Sequence, residues 1–376
     1  MIGHQRLCPL RTLHLSAAWI GHAAAALNPA NFGFVMATGI VSNALLLHGE
    51  HALSDALFTV TLIAYVWLWL LTGLRAVRSC AAMAADLSSP RRLFLLFTTV
   101  AATNVLAVSV AERGFAAVAL DMWLVALALW LILSYLAFGV PMFSKRTRDV
   151  DVINGAWLDA VVATQSLVVA GGAAALPAAH AVQAYTALPM LWTVGFILYG
   201  ILVTLECHRF IHSALRPDDI TPPLWLVMGA AAISANGGAV LIVHSSATPF
   251  LHMLTPFLAG GMLAGWAWAT WWIPLLLLLE IWKHGTHRIA IGYTPMLWVI
   301  VFPLGMYAVA TRRLAAVAAV PVLQSWSLVI TWVAFAAWCA TASGMVSASV
   351  RNARMLIGLA HALAGPTAGQ HLTARR

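Results

Sequence analysis

The chain has 376 residues, of which 62% are hydrophobic and only 9% are charged, and its mean hydropathy is +0.89. Soluble domains carry about 25% charged residues, so this composition excludes a soluble enzyme, a nucleic-acid-binding protein and a disordered chain. The bilayer is the predicted solvent, and the net charge of +8 therefore indicates membrane orientation rather than nucleic-acid binding.

The N-terminal segment, residues 1–28, is predicted to lie at the membrane interface. Arg6 and Arg11 precede an apolar stretch that is interrupted by His14 and His22. This mixed pattern is atypical of a cleaved signal peptide and typical of a short amphipathic segment.

Ten stretches of the chain are long and apolar enough to cross a bilayer, which takes about 20 helical residues. They predict an all-α polytopic membrane protein with a transmembrane domain over residues 29–348 and a flexible cytoplasmic tail over residues 349–376. The predicted spans are roughly 29–48, 54–77, 93–112, 115–138, 156–176, 185–208, 222–245, 252–282, 295–311 and 323–348.

The basic residues orient these spans. With ten spans both termini lie on one side, and that side holds 17 of the 20 Lys and Arg residues. The other side holds Arg113, Arg312 and Arg313. Since cytoplasmic loops are enriched in Lys and Arg, both termini are predicted to be cytoplasmic, in a multi-pass protein of the inner (plasma) membrane.

An internal repeat groups the spans into five helical hairpins. Each odd-numbered span follows a Pro or Gly, and these residues recur about every 65 positions. They are Pro29, Pro90, Gly155, Pro222 and Pro295. Because the connections within pairs are short and those between pairs are long and basic, the unit is a tight hairpin with an extracytoplasmic turn.

The odd-numbered spans carry small, hydroxyl and amide residues, whereas the even-numbered spans are rich in Leu, Trp and Phe. Polar groups in hydrocarbon need partners or water, so the odd spans are predicted to face inward and the even spans to face lipid or neighbouring subunits. Five inward helices leave a central axis, which is the geometry of a pore. A solid ten-helix scaffold is an equal alternative from the pattern alone, because small residues also serve ordinary helix packing.

Three stretches resemble one family, which comprises slow anion channels, TehA tellurite-resistance proteins and C4-dicarboxylate transporters (the TDT family). Phe32-Gly-Phe-Val-Met-Ala-Thr-Gly-Ile-Val-Ser42 resembles the first helix of that family. Pro223-Leu-Trp-Leu-Val-Met-Gly229 and Phe302-Pro-Leu-Gly-Met-Tyr-Ala-Val-Ala-Thr311 resemble its seventh and ninth helices. The resemblance covers essentially all of residues 29–348, and it implies five hairpins around a central pore in a homotrimer.

The resemblance further implies passage of small anions, either through a channel for chloride or nitrate or by a proton-coupled carrier of C4-dicarboxylates such as malate. In this family a Phe on the ninth helix plugs the pore, and the matching position here is Phe302, followed by Pro303. A phenyl ring in a narrow pore excludes water, and a rotamer change opens it. The proline removes a backbone donor and bends the helix at that point.

The candidate pore-lining residues are hydrogen-bonding side chains and one glycine on the odd spans, where they replace part of an anion's hydration shell. They are Thr38, Gly39, Asn104, Thr164, Gln165, Ser234 and Asn236. The alternative for each polar residue is an interhelical hydrogen bond worth about 1 kcal/mol.

Asp159 is the deepest acidic residue on an inward span and is the candidate proton site of a carrier, with a salt bridge to a loop Arg or Lys as the alternative. A polytopic membrane enzyme is a remote possibility, since no GxSxG, HExxH or P-loop motif is present. No metal or cofactor is predicted, because no mid-membrane His pair is present and the cysteines form no CxxC pair. The cysteines are Cys8, Cys80, Cys207 and Cys339.

Overall fold

A computed structural model describes residues 27–143, 154–174, 180–212 and 215–363 of the chain. Nearly all of the predicted interfacial segment and the end of the predicted tail lie outside these ranges. Within them, ten helices are long and apolar enough to span a membrane, and no strand occurs, which confirms the predicted all-α fold.

We number the ten spanning helices in chain order. They are α1 Phe32–Leu47, α2 His51–Arg78, α3 Phe97–Ala111, α4 Ala116–Phe143, α5 Asp159–Ala173, α6 Ala181–His212, α7 Leu226–Val243, α8 Pro249–Ile281, α9 Trp298–Val317 and α10 Val322–Leu363. Two short helices, Cys80–Ser88 and Pro90–Leu95, lie between α2 and α3.

Three of the odd-numbered helices begin with a short 3-10 turn whose first residue is proline. These turns are Pro29–Asn31, Pro222–Trp225 and Pro295–Leu297. Proline suits this position because its fixed φ is helical and its missing N–H has no partner in the first turn anyway. Asn28 completes the first of these turns, since its side chain accepts a hydrogen bond of 3.1 Å from the backbone N–H of Ala30.

The odd-numbered helices form an inner layer and the even-numbered helices an outer one. In the most apolar 18-residue stretch of each odd span, 67% to 94% of the residues are buried, against 11% to 39% in the even spans. The distribution of small and polar residues along the sequence predicts this same division.

The inner layer is a closed ring. Each inner helix packs against two others, in the order α1, α3, α5, α7, α9 and back to α1, and each outer helix packs mainly on its own hairpin partner. Glycines allow the closest approaches within the ring. A Cβ atom at Gly229 would lie 2.8 Å from Cγ of Pro303, and one at Gly305 would lie 2.8 Å from a methyl group of Ile40. The glycines therefore bring α9 close to α7 and to α1.

The two ends of the ring differ in their connections. We call the end that carries the turns within hairpins the hairpin end, and the opposite end, which carries the connections between hairpins, the basic end.

At the basic end Asp86 is fully buried between Arg75 and Arg92, with N–O distances of 2.7 and 2.6 Å. These ion pairs hold the short helix Cys80–Ser88 against α2, because Arg75 belongs to α2.

Helices α9 and α10 continue furthest beyond their predicted ends. Helix α9 runs to Val317 rather than stopping near residue 311, so Arg312 and Arg313 are helical. Helix α10 runs to Leu363, past the predicted start of the tail at residue 349. No proline interrupts either extension, so the backbone hydrogen bonds of the helix continue.

Candidate functional site: the cavity inside the helix ring

A narrow cavity of about 30 Å³ lies inside the ring, between its middle and the hairpin end. All five inner helices contribute to its wall, so it lies on the ring's own axis. The lining residues are Ile40, Asn43, Leu46 and Leu47 from α1, Asn104, Val105 and Val108 from α3, Glu112 just after α3, Ser166 and Val169 from α5, Ile233 and Asn236 from α7, and Met306, Val309 and Arg313 from α9. A cavity of this size has room for a few water molecules.

Phe302 lies on the axis-facing side of α9. With 3.6 residues per turn, its position falls between Pro303, which meets α7, and Gly305, which meets α1. It shares this face with Met306, which lines the cavity one turn nearer the hairpin end. The Phe302 side chain is 1% exposed, so the cavity and the basic end are separated by packed side chains at this level.

Two cavity-lining amides have unpaired oxygen atoms. The Oδ1 atoms of Asn104 and Asn236 are buried, and neither has a hydrogen-bond partner among the described residues. The Asn104 amide donates to Oγ of Ser166 at 2.9 Å, whereas the Asn236 amide contacts only the sulfur of Met306, at 3.7 Å. Because buried polar groups are normally paired, these two amides are available to a molecule in the cavity.

A third amide in the cavity wall, that of Asn43, is already satisfied by the protein. Its Oδ1 accepts a hydrogen bond of 2.6 Å from Ser109, and its Nδ2 contacts the carbonyl oxygen of Val105 at 3.4 Å. Asn43 therefore joins α1 to α3 rather than offering its polar atoms to the axis.

The hairpin end of the cavity carries two charged side chains. Glu112 is exposed and Arg313 is half-buried. The Nε atom of Arg313 is buried and has no hydrogen-bond partner in the described ranges. Arg113 lies nearby but is already paired, since it forms a salt bridge of 2.8 Å with Asp55.

Of the seven predicted pore-lining residues, Asn104 and Asn236 line the cavity. Two others direct their hydroxyl groups toward outer helices. Thr38 accepts a hydrogen bond of 3.0 Å from the indole of Trp338, and Thr164 accepts one of 2.8 Å from the indole of Trp130.

The remaining three predicted lining residues do not line the cavity either. Gln165 donates to the carbonyl oxygen of Trp192 at 3.0 Å, and Ser234 donates to Ala230 within its own helix. A Cβ atom at Gly39 would lie 2.8 Å from a methyl group of Val105, so this glycine sits where α1 meets α3.

Aromatic side chains link every hairpin to the next one, a feature that sequence reasoning missed. In each case a Trp or Tyr on an outer helix hydrogen-bonds the following inner helix, and α10 closes the circle onto α1. The pairs are Tyr65 with Thr103, Trp130 with Thr164, Trp192 with the carbonyl oxygen of Ser234, Trp266 with Thr311 and Trp338 with Thr38, at 2.8 to 3.0 Å. The sequence does contain a signal, since in each of the first four pairs the aromatic residue precedes its partner by 34 to 45 residues.

Comparison with known proteins decides the family. The family model described as "Voltage-dependent anion channel" matches residues 26–346. The chain belongs to the voltage-dependent anion channel family. This confirms the resemblance drawn from its first, seventh and ninth spans. Since the family comprises channels and transporters, the prediction that the protein is not an enzyme is confirmed as well.

Individual relatives agree with membership of the anion-channel family. Two proteins of Methanocaldococcus jannaschii, both named uncharacterized transporters, are 22% and 23% identical over 325 and 336 residues. These alignments cover 82% and 83% of this chain and 91% and 90% of the relatives. An uncharacterized membrane protein of Mycobacterium tuberculosis is 39% identical over 149 residues, which are 40% of this chain and 75% of the relative.

Asp159 is the last of the candidate site residues. It lies in the first turn of α5 and is 2% exposed. Neither carboxyl oxygen has a hydrogen-bond partner, and no basic side chain pairs with it, among the residues that the structure describes. In the same part of the chain, no group of three His, Cys, Asp or Glu side chains is placed to hold a metal ion.

Proposed function

We propose that the protein conducts small anions such as chloride or nitrate along the axis of the inner ring, with Phe302 as the gate. The observation that carries the proposal is a cavity that all five inner helices line. It ends one helical turn from the Phe302 side chain. The hairpin end is extracytoplasmic, and both termini are cytoplasmic. The clustering of Lys and Arg residues at the basic end supports this orientation in the plasma membrane.

In this mechanism Phe302 closes the pore by excluding water from its narrowest level. A change of the Phe302 rotamer opens a continuous path, and Pro303 gives α9 the local freedom to accommodate it, because a proline inside a helix removes one backbone hydrogen bond. Asn104 and Asn236 contact the passing anion. Thr38, Thr164, Gln165 and the backbone carbonyl of Ser234 hold the inner helices to their neighbours, and Gly39 lets α1 pack closely on α3.

The second candidate function is a proton-coupled carrier of C4-dicarboxylates such as malate, with Asp159 as the proton site. The specific observation that favours it is the buried carboxyl group of Asp159, which has no partner among the residues that the structure describes. An acidic residue inside a membrane protein is costly and therefore indicates a functional site. A carrier differs from a channel in that its transport follows the proton gradient.

We further propose a homotrimer with one pore in each subunit, as the family resemblance implies. The outer helices expose large apolar side chains such as Ile63 and Ile132 that suit either lipid or a neighbouring subunit. Cross-linking of the purified protein in detergent distinguishes a trimer from a monomer.

Flux of chloride, nitrate and malate into liposomes, with and without a pH gradient, tests these proposals. We expect Phe302→Ala to raise chloride and nitrate flux strongly and independently of pH. Malate uptake that follows the proton gradient and is lost in Asp159→Asn, without any gain in Phe302→Ala, would favour the carrier instead. No flux of any anion in either protein would contradict both functions.

Phe97→Ala is the matched control for the gate. Phe97 is as deeply buried as Phe302, but it packs in a cluster between α3, α4 and α5, away from the ring axis. Both substitutions remove a large core side chain, and each should cost about 3–5 kcal/mol of stability. We expect only Phe302→Ala to raise flux, because only that side chain faces the axis.

A further inference from the structure

The three arginines of the hairpin end have different surroundings. Arg113 forms a salt bridge with Asp55, and its guanidinium lies 4.1 Å from the ring centre of Phe58. Arg312 is close enough to His48 to act on it electrostatically. Of these three residues, Arg313 is the one that lines the cavity. The positive charge that faces the axis at this end is therefore that of Arg313.

Arg313 faces the axis without a direct hydrogen bond or salt bridge to any residue that the structure describes. It follows Met306 by two helical turns and therefore lies on the same face of α9 as Phe302 and Met306. No carboxylate of the described residues lies within 4 Å of its nitrogen atoms, and its buried Nε atom donates to none of their acceptors. A guanidinium group in this position needs a hydrogen-bond acceptor of opposite charge, which a cavity anion supplies.

The amides of Asn104 and Asn236, whose oxygen atoms have no partner among the described residues, lie deeper in the same cavity. A half-turn of the Asn236 amide replaces its unpaired oxygen with an NH2 donor and gives up only a weak contact with the sulfur of Met306. The Asn104 amide can turn as well, provided that the Ser166 hydroxyl gives up its hydrogen bond to the carbonyl oxygen of Ala163 and donates to the amide oxygen instead. The cavity thus leads from the guanidinium group of Arg313 to two amide groups that can turn their NH2 donors toward an anion.

We infer that Arg313 forms an entry site for small inorganic anions of the chloride and nitrate class, from which the anion passes to the amides of Asn104 and Asn236. Glu112 also lies at the hairpin end of the cavity, and its carboxylate competes with the anion for the guanidinium group of Arg313. This inference rests on the proposed channel function. It also favours one substrate class, because a narrow cavity with room for a few water molecules suits a monatomic or small planar anion better than a C4-dicarboxylate.

A fixed cation at the hairpin end of the cavity is compatible with rapid passage of anions. Halfway along the pore, an arginine would bind an anion too tightly for quick release. At the mouth, water and the exposed carboxylate of Glu112 weaken the attraction, so that the arginine mainly raises the local concentration of anions.

Chloride flux in the Phe302→Ala background tests the site. At about 0.01 M salt, where charges act over about 30 Å, we expect Arg313→Gln to lower flux about tenfold. At about 1 M salt, where the range falls to about 3 Å, the difference should nearly vanish. Glu112→Gln should raise flux at low salt, and Arg313→Lys should retain most of it. Arg312→Gln is the matched control and should lower flux much less than Arg313→Gln does, because Arg312 does not line the cavity.

Binding is measured separately from transport by thermal unfolding of the otherwise unmodified protein in sodium nitrate and in sodium gluconate, whose anion is too large for the cavity. We expect nitrate to raise the unfolding temperature, and we expect Arg313→Gln to abolish this increase. Equal increases in the two proteins, or an Arg313→Gln effect on flux that persists at high salt, would overturn the inference. If no variant conducts but the nitrate effect still requires Arg313, the site stands and the channel function falls.

Discussion

The two halves of the inner ring differ in character although the same five helices build both. Toward the basic end, the side chains one helical turn from the cavity are apolar and buried. Met36, Val162 and Phe302 each precede a cavity-lining residue by four positions and so lie on the same face of their helices. Toward the hairpin end, the axis carries amide groups with unpaired oxygens, as at Asn104 and Asn236. One half excludes water, and the other offers polar groups to a ligand.

This difference separates two tasks that a pore must perform. An apolar, closely packed level stops ions because water leaves it, whereas a polar level selects ions by replacing their hydration shell. In the proposed mechanism, opening depends on the first half and anion preference on the second. Substitutions in the two halves should therefore change different measured quantities, and three experiments test this difference.

The largest effect is expected for Gly229→Ala, in the closely packed half. Its new Cβ atom would lie 2.8 Å from Cγ and 3.3 Å from Cα of Pro303, and a proline ring cannot move aside without shifting α9. We expect a loss of about 1–3 kcal/mol in the free energy of unfolding, measured by thermal unfolding in detergent. Gly260→Ala on outer helix α8 is the control, because no atom lies within 4 Å of the new Cβ. Equal unfolding temperatures of the two variants would mean that the ring is not tightly closed at this level.

A smaller effect is expected for Asn236→Leu, in the polar half. In the Phe302→Ala background it should lower chloride flux about tenfold, because it removes a hydrogen bond to an anion worth about 1.5 kcal/mol. Thr164→Val is the control, since the Thr164 hydroxyl binds Trp130 instead of lining the cavity. It should cost about 1 kcal/mol of stability and leave flux unchanged. The reverse result would place Thr164, rather than Asn236, on the path of the anion.

The smallest effect is expected for the pH dependence of stability at the hairpin end. Burial and, to a lesser degree, the charge of Arg312 lower the pKa of His48 below its ordinary value of 6.5. The unfolded chain therefore binds a proton at a higher pH than the folded one, and stability is lost as the pH falls through 6.5. The loss is complete only below the folded-state pKa.

His48→Gln tests this pH dependence. The unfolding temperature of the wild-type protein should fall more between pH 7.5 and pH 5.5 than that of the variant. Glutamine can still hydrogen-bond Ser327, whose hydroxyl lies 2.9 Å from Nε2 of His48. A parallel fall in the two proteins would assign the pH dependence to other groups.

Much of the architecture could be predicted from the sequence. Apolar stretches predict ten spans, and the small and polar residues in every second span predict which five helices lie inside, as the buried fractions show. Helix ends were less predictable, because nothing marks the point where α9 stops, six residues after Thr311. The extension matters for the site, since it makes Arg313 part of the helix that lines the cavity.

The cavity residues could be predicted only in part. Thr38 and Asn104 both look like polar residues on an inward helix, yet Thr38 binds an outer helix and Asn104 lines the cavity. An inner helix is surrounded by protein on all sides, so its sequence shows no apolar stripe that would mark one face. The type of residue therefore indicates that a helix is buried but not which of its faces meets the axis.

The order of apolar, small and polar residues predicts the bilayer as solvent, the number of spans and their division into inner and outer helices, because hydrocarbon admits only helices whose polar groups find partners inside the protein. The tertiary structure alone decided how each inner helix is rotated. Close contacts at Gly229 and Gly305 fix the rotation of α9, and that rotation places Phe302 and Arg313 on the axis. Such contacts join residues from distant hairpins, so no local pattern in the chain specifies them.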